Sequence, residues 1–167
     1  DDAAAAVFTT NRVPAAPVLW SRQVLAGERA RAVVLNSGGA NACTGPKGFQ
    51  DTHATAEKAA EVLGVGAGEV AVCSTGLIGV LLPMDKLLPG VGTAAAQLSE
   101  HGGEKAAIAI KTTDTVHKTS VVTKDGWTVG GMAKGAGMLA PALATMLCVV
   151  TTDAVVAAAD ADAALRA

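Results

Sequence analysis

Aromatic side chains are nearly missing from this 167-residue chain: tyrosine does not occur, and two tryptophans and two phenylalanines make up the 2% that are aromatic. Half of the residues are hydrophobic, so the core has to be built mainly from Ala, Val and Leu. Cysteine is scarce and odd in number. Cys43, Cys73 and Cys148 lie far apart with no CxxC pair, so neither a disulfide framework nor a zinc site is signalled. His53, His101 and His117 have no second ligand at metal spacing and read as surface or loop residues. An excess of one charge is also lacking. A net charge of −2 with both signs mixed leaves no electrostatic footprint for nucleic acid or an anionic membrane. The expectation is one domain in a reducing, cytoplasmic setting, with no metal and no bound cofactor.

What is present in force is one uncharged run, GAGMLAPALATMLCVVTT, residues 135–152, between Lys134 and Asp153. Its length would suit a membrane span. Two glycines, a proline and three threonines interrupt it, however, and it lacks the basic cluster and Trp/Tyr belt that anchor a span. A buried core segment or a buried reactive site remains. The opening DDAAAAVFTT has neither an initiator methionine nor the layout of a signal peptide, so its natural start is expected upstream.

Strands are expected at AVFTT (6–10), RAVVLNS (31–37) and EVAVCST (69–75), all rich in β-branched residues and bounded by turn formers. VLWSRQVL (18–25) suits a short helix and GGANACTGPKG (38–48) a loop. QDTHATAEKAAEVLG suits a longer helix, with Asp51 as its cap and Gly64 as its end. TAAAQLSEHGG and EKAAIAI suit two more helices. KTSVVTKDGWTVGG carries the strongest hairpin signal, because Asp125-Gly126 fits a two-residue turn between alternating strands. TMLCVVTT reads as a buried strand and DADAALRA as the start of a helix. Strands, helices and a hairpin without regular βα alternation imply a layered α/β or α+β fold.

Two glycine motifs invite a nucleotide. GAGMLA (135–140) fits GxGxxA, but Gly130 and Gly131 interrupt the preceding strand, and Pro141 falls where the following helix should form. GGANACTGPKG fails as a phosphate loop, because Pro46 separates Gly45 from Lys47. In APALATML, Thr145 reads as an ordinary core threonine whose hydroxyl bonds a nearby carbonyl, unless its neighbours are exceptional. They are, for Lys134 precedes glycines that allow close backbone approach, and Ala144 leaves the carbonyl before Thr145 unshielded.

NSGGANACTG (36–45), STGLIGVLLPMDK (74–86), KTTDT (111–115) and GGMAKGAGMLAPALATML followed by TTDA (130–154) together resemble the bifunctional ornithine acetyltransferase / N-acetylglutamate synthase family of arginine biosynthesis. The resemblance runs over essentially the whole chain. It implies a precursor that cuts itself between Ala144 and Thr145, leaving Thr145 as an N-terminal nucleophile whose own amine can serve as base. It further implies ping-pong acetyl transfer from N-acetylornithine to glutamate, with acetyl-CoA as a second donor. Thr75 and Gly76 would form the oxyanion hole, and Thr112, Lys134 and Thr145 would bind substrate. The fold implied is the four-layer αββα sandwich shared with β-aminopeptidases, whose serine nucleophile sets them apart.

On the same grounds, residues 1–144 correspond to most of an α chain and 145–167 to the start of a β chain within one structural domain. The partners implied are the protein's own β chain in an α2β2 heterotetramer, with no nucleic acid or membrane. Ala142 departs from the Asn or Gly common at that position in relatives. Because the β chain is expected to continue beyond Ala167, this piece alone is expected to be inactive. Two rival readings are a nucleotide-dependent oxidoreductase resting on GAGMLA and an inactive assembly fragment.

Overall fold

The computed structural model describes residues 3–135 and 145–167. In chain order its elements are α1 (Ala16–Leu25), β1 (Ala32–Asn36), α2 (Gly45–Leu63), a single 3-10 turn (Ala67–Glu69), β2 (Val70–Ser74), α3 (Met84–Ala96), α4 (Gly103–Ala109), β3 (Lys118–Lys124), β4 (Trp127–Lys134), β5 (Leu147–Thr152) and α5 (Ala158–Arg166). They gather into two compact units, Asp1–Leu98 with Val156–Ala167, and Ser99–Val155. The expected mixed α/β class is observed in both.

In the first unit β1 and β2 pair in parallel, from Ala32 against Val70 to Asn36 against Ser74, with α2 as the crossover between them. Trp20 and Val24 from α1, Ala56, Ala59 and Ala60 from α2, and Val70 and Val72 from β2 form the buried cluster. With so few rings available, the alanine face of α2 sets a close helix-to-sheet approach. Gly64 ends α2 in the left-handed conformation, as expected.

Among the described residues no strand lies beside the other edge of β2. The Trp20 indole N–H donates to the Val70 carbonyl at 2.9 Å. The Ser21 hydroxyl donates to the Val72 carbonyl at 2.8 Å and accepts from the Val72 amide at 2.9 Å. Helix α1 thus satisfies backbone groups that a further strand would otherwise take, and blunts the edge. The expected strand at 6–10 is accordingly not formed. That segment is irregular, and its nearest ladder is one bridge between Ala3 and Arg29. Its ordering comes instead from Arg22, which donates to the Thr9 carbonyl at 2.7 Å and lies over the Phe8 ring.

Two helix expectations also shift. α2 begins at Gly45, so Asp51 does not cap it; the Asp51 carboxylate is buried in its second turn and paired with Lys47. α3 spans Met84–Ala96 and ends before the Leu98–Gly103 part of TAAAQLSEHGG. It contains Pro89, the sixth residue of the helix, which has no N–H to give the Asp85 carbonyl, so one intrahelical bond is missing there.

In the second unit β3, β4 and β5 form an antiparallel sheet in that order. Asp125 and Gly126 turn the hairpin, with φ values of 51° and 84° as a type I′ turn requires. α4 packs against β3 and β4. β5 forms as expected but lies at the sheet edge and is not buried; its exposure alternates at first and then stays high. No helix among the described residues is long and apolar enough to cross a membrane.

Candidate active site

Both parallel strands of the first unit end at the Asn36–Ser74 pair. The Asn36 side-chain amide donates to the Ser74 hydroxyl at 2.7 Å, and the Thr75 amide donates to the Asn36 carbonyl at 3.0 Å. The Thr75 amide, expected to serve the oxyanion hole, is thus already engaged, because the parallel pairing extends one residue beyond the strand. Thr75 is buried, and with its amide engaged its other hydrogen donor is the hydroxyl. Gly76 comes next, with φ +134°, a conformation that side chains avoid. Its own amide takes no acceptor among the described residues.

A second loop backs this turn. A Cβ on Gly76 would lie 2.9 Å from the Gly39 Cα, so the two backbones touch where neither has a side chain. The Ala40 amide donates to the Leu77 carbonyl and the Gly79 amide to the Ala42 carbonyl, both at 2.8 Å. Asn41, fully buried with φ +49°, then ties the loop to α2. Its side-chain nitrogen donates to the Gly48 carbonyl at 2.8 Å and the Thr52 hydroxyl at 2.9 Å, and its oxygen accepts from Thr44 at 2.7 Å. Every polar atom of the Asn41 side chain is used, which fixes the loop without a large core.

In the second unit the residues of interest gather at the end of β4. Lys134 is its last residue, buried, and paired with Leu147 of β5. Thr145, half-buried, stands two residues before Leu147. A Cβ on Gly135 would be 3.1 Å from the Met146 Cγ, so the two feet of segment 136–145 press together. Thr112 lies in the turn after α4, with φ +50°. The Asp114 amide closes that turn on the Lys111 carbonyl at 3.1 Å.

Asp114 was not singled out by sequence. Its side chain is only 2% exposed and pairs with Lys118, while the same oxygen, Oδ2, accepts from the Gly135 amide at 3.0 Å. The Lys118 hydrogen bond, then the Gly135 amide, hold the Asp114 carboxyl below its usual range; burial opposes them, and the charges of Lys118 and Lys134 add to them. Lys118 Nζ also reaches the Gly135 carbonyl at 3.5 Å. Oδ1 is buried and takes no hydrogen bond among the described residues.

Thr75 and Gly76 thus belong to the first unit, and Thr112, Lys134 and Thr145 to the second. Ala144, like residues 136–140 of GAGMLA, lies outside the described residues. The strand leading into GAGMLA pairs antiparallel on both sides, which is not the βαβ context a dinucleotide fingerprint needs.

A family model described as the ArgJ family matches residues 1–167. The chain belongs to the ArgJ family. The arginine biosynthesis bifunctional protein ArgJ of Streptomyces coelicolor is 84% identical over 164 residues, covering 98% of this chain and 43% of that protein. The protein of the same name from Mycobacterium tuberculosis is 63% identical over 174 residues, with 99% and 43% covered. This chain therefore spans less than half the length of these curated ArgJ relatives. Among solved structures, the ornithine acetyltransferase of M. tuberculosis, complexed with ornithine, superposes with a TM-score of 0.82 at 60% identity, over 88% of this chain and 79% of that one. The ArgJ structure from Bacillus halodurans gives 0.74 at 39% identity, over 87% and 78%. The oxidoreductase alternative gains no support from these relatives.

Proposed function

We propose that this ArgJ chain carries the nucleophile and most of the acyl-transfer site of a glutamate N-acetyltransferase that moves acetyl from N-acetylornithine to glutamate. The observation that carries the reading is the β4–β5 register, which sets Lys134 against Leu147 and so brings Thr145 to the end of the strand bearing that buried lysine. In the proposed maturation, the Thr145 hydroxyl oxygen attacks the Ala144 carbonyl carbon. The peptide C–N bond breaks to give an ester and a free amine, and water hydrolyses the ester to leave Ala144 with a carboxylate. The freed Thr145 amine then takes the hydroxyl proton as Thr145 attacks the acetyl carbonyl. Ornithine leaves as an amine, and the glutamate amine later takes the acetyl group.

The Gly76 amide and the Thr75 hydroxyl are the proposed donors to the tetrahedral oxyanion. Lys134 offers its ammonium to the substrate α-carboxylate and Thr112 supports it. Acetyl-CoA as a second donor, and assembly with the β chain as α2β2, belong to the same reading. Chain lengths support a cut. This sequence fills 79% of the solved mycobacterial chain but 43% of the protein from the same species. The two solved chains match 88% and 87% of the sequence, close to the 144 of 167 residues that precede Thr145.

The test places this sequence in the full-length S. coelicolor ArgJ in exchange for the part it matches, and follows intact mass with and without N-acetylornithine. Cleavage before Thr145, abolished by Thr145→Ala, and a transient acetyl mass on the threonine-led chain are expected. An unbroken wild-type hybrid would overturn the reading. The 167 residues by themselves are expected to transfer little or no acetyl.

A further inference from the structure

We infer that Asp114 is a positioning residue for the cut before Thr145 and for the spacing of Thr112 and Lys134, acting through the Gly135 peptide. The inference rests on the acetyltransferase reading and deepens it. Gly135 is held at both of its backbone polar groups: its N–H by Asp114 Oδ2 at 3.0 Å and its C=O by Lys118 Nζ at 3.5 Å. It packs directly on Met146, the neighbour of Thr145, so a shift of Gly135 is transmitted one residue from the nucleophile. On the other side the Lys134–Leu147 pair closes the ladder. The segment containing the scissile bond is thereby tied at both feet.

The same carboxylate belongs to the turn that carries Thr112, joined by the Asp114 amide to Lys111. One side chain thus connects the Thr112 turn, the start of β3 and the end of β4. A Lys–Asp pair four residues apart on a surface would contribute little. This one differs because the Asp114 side chain is 2% exposed and its second bond is to backbone. Intramolecular attack depends steeply on the approach of nucleophile and carbonyl, and misplacement by about 1 Å costs on the order of a hundredfold. A clamp on the loop foot is therefore expected to appear in the cleavage rate before it appears in folding.

The full-length hybrid provides the test, with cleavage followed by intact mass over time and acetyl transfer measured on cleaved protein. Asp114→Ala is expected to slow cleavage about tenfold or more. In whatever cleaved enzyme forms, it is expected to raise KM for N-acetylornithine about tenfold while kcat falls less. Asp114→Asn keeps an acceptor for the Gly135 amide and is expected to cleave within about threefold of wild type. A variant-free measurement accompanies these: the Gly135 amide of the wild-type hybrid should be protected from hydrogen exchange, and this decides the matter if Asp114→Ala fails to fold. Wild-type cleavage rates in Asp114→Ala, an unprotected Gly135 amide, or an Asn variant as impaired as Ala would each overturn the route through Gly135. A wild-type hybrid that does not cut, or a Thr145→Ala variant that does, overturns the acetyltransferase reading instead.

Discussion

Gly39 and Gly76 meet backbone to backbone, with the Gly39 Cα 2.9 Å from where a Gly76 side chain would begin. Two loops can approach so closely only where neither bears a Cβ, and the contact holds the Gly76 amide in one orientation. Gly76→Ala is therefore expected to displace the turn and reduce acetyl transfer. If that amide serves the oxyanion, kcat falls about 10²–10³-fold, the usual effect of losing one such donor. Single-turnover acetylation of the hybrid measures it, and a Gly76→Ala enzyme with unchanged kcat would remove Gly76 from the site.

Ser21 is expected to matter more to stability than its size suggests. Ser21→Ala leaves the Val72 N–H and C=O without the partner they have now, at a cost of about 1–3 kcal/mol for buried polar groups left unpaired. Trp20→Ala, which also opens the core, should cost about 3–5 kcal/mol. Urea unfolding followed by circular dichroism compares the two; a Ser21→Ala protein as stable as wild type would mean that α1 does not cover the β2 edge.

Acid should release the Asp114 clamp. Its carboxyl is held below the ordinary 3.8 in the folded protein, so its contribution is complete above 3.8 and is lost as pH falls through the lower folded value. The amide resonance of Gly135 should follow this titration with a midpoint below 3.8. A midpoint at or above that value would contradict the pairing with Lys118.

The three thiols should differ in reactivity. Burial pushes the Cys73 thiol up to about 11, whereas Cys43 and Cys148 are exposed. At pH near 8 almost no Cys73 thiolate exists in the folded state, so iodoacetamide should modify Cys43 and Cys148 first and Cys73 only on unfolding. Equal labelling of all three by mass spectrometry would show that β2 is open to reagent.

The elements that sequence conveyed well are those specified locally. Gly64 stops α2, Asp125-Gly126 turns the hairpin, and short Val-rich runs make β1 and β2. What it missed depends on distant neighbours. Residues 6–10 have strand composition but no ladder, because Trp20 and Ser21 already occupy the β2 edge. The sequence reads as a strand through Thr75, whereas β2 ends at Ser74 and the Asn36 carbonyl still takes the Thr75 amide. The same divide applies to the candidate site. Thr75, Gly76, Thr112, Lys134 and Thr145 follow from motif resemblance, whereas Asp114, though inside KTTDT, becomes informative only when the hairpin brings Gly135 to it across 21 residues.

The β4–β5 ladder has one further consequence. It pairs Val129–Lys134 with Leu147–Thr152 across the segment that contains Ala144–Thr145. Severing that bond would raise the number of polypeptides by one without removing a rung of the sheet. The two chains would stay paired through that ladder, so maturation need not wait for two separate molecules to find each other again.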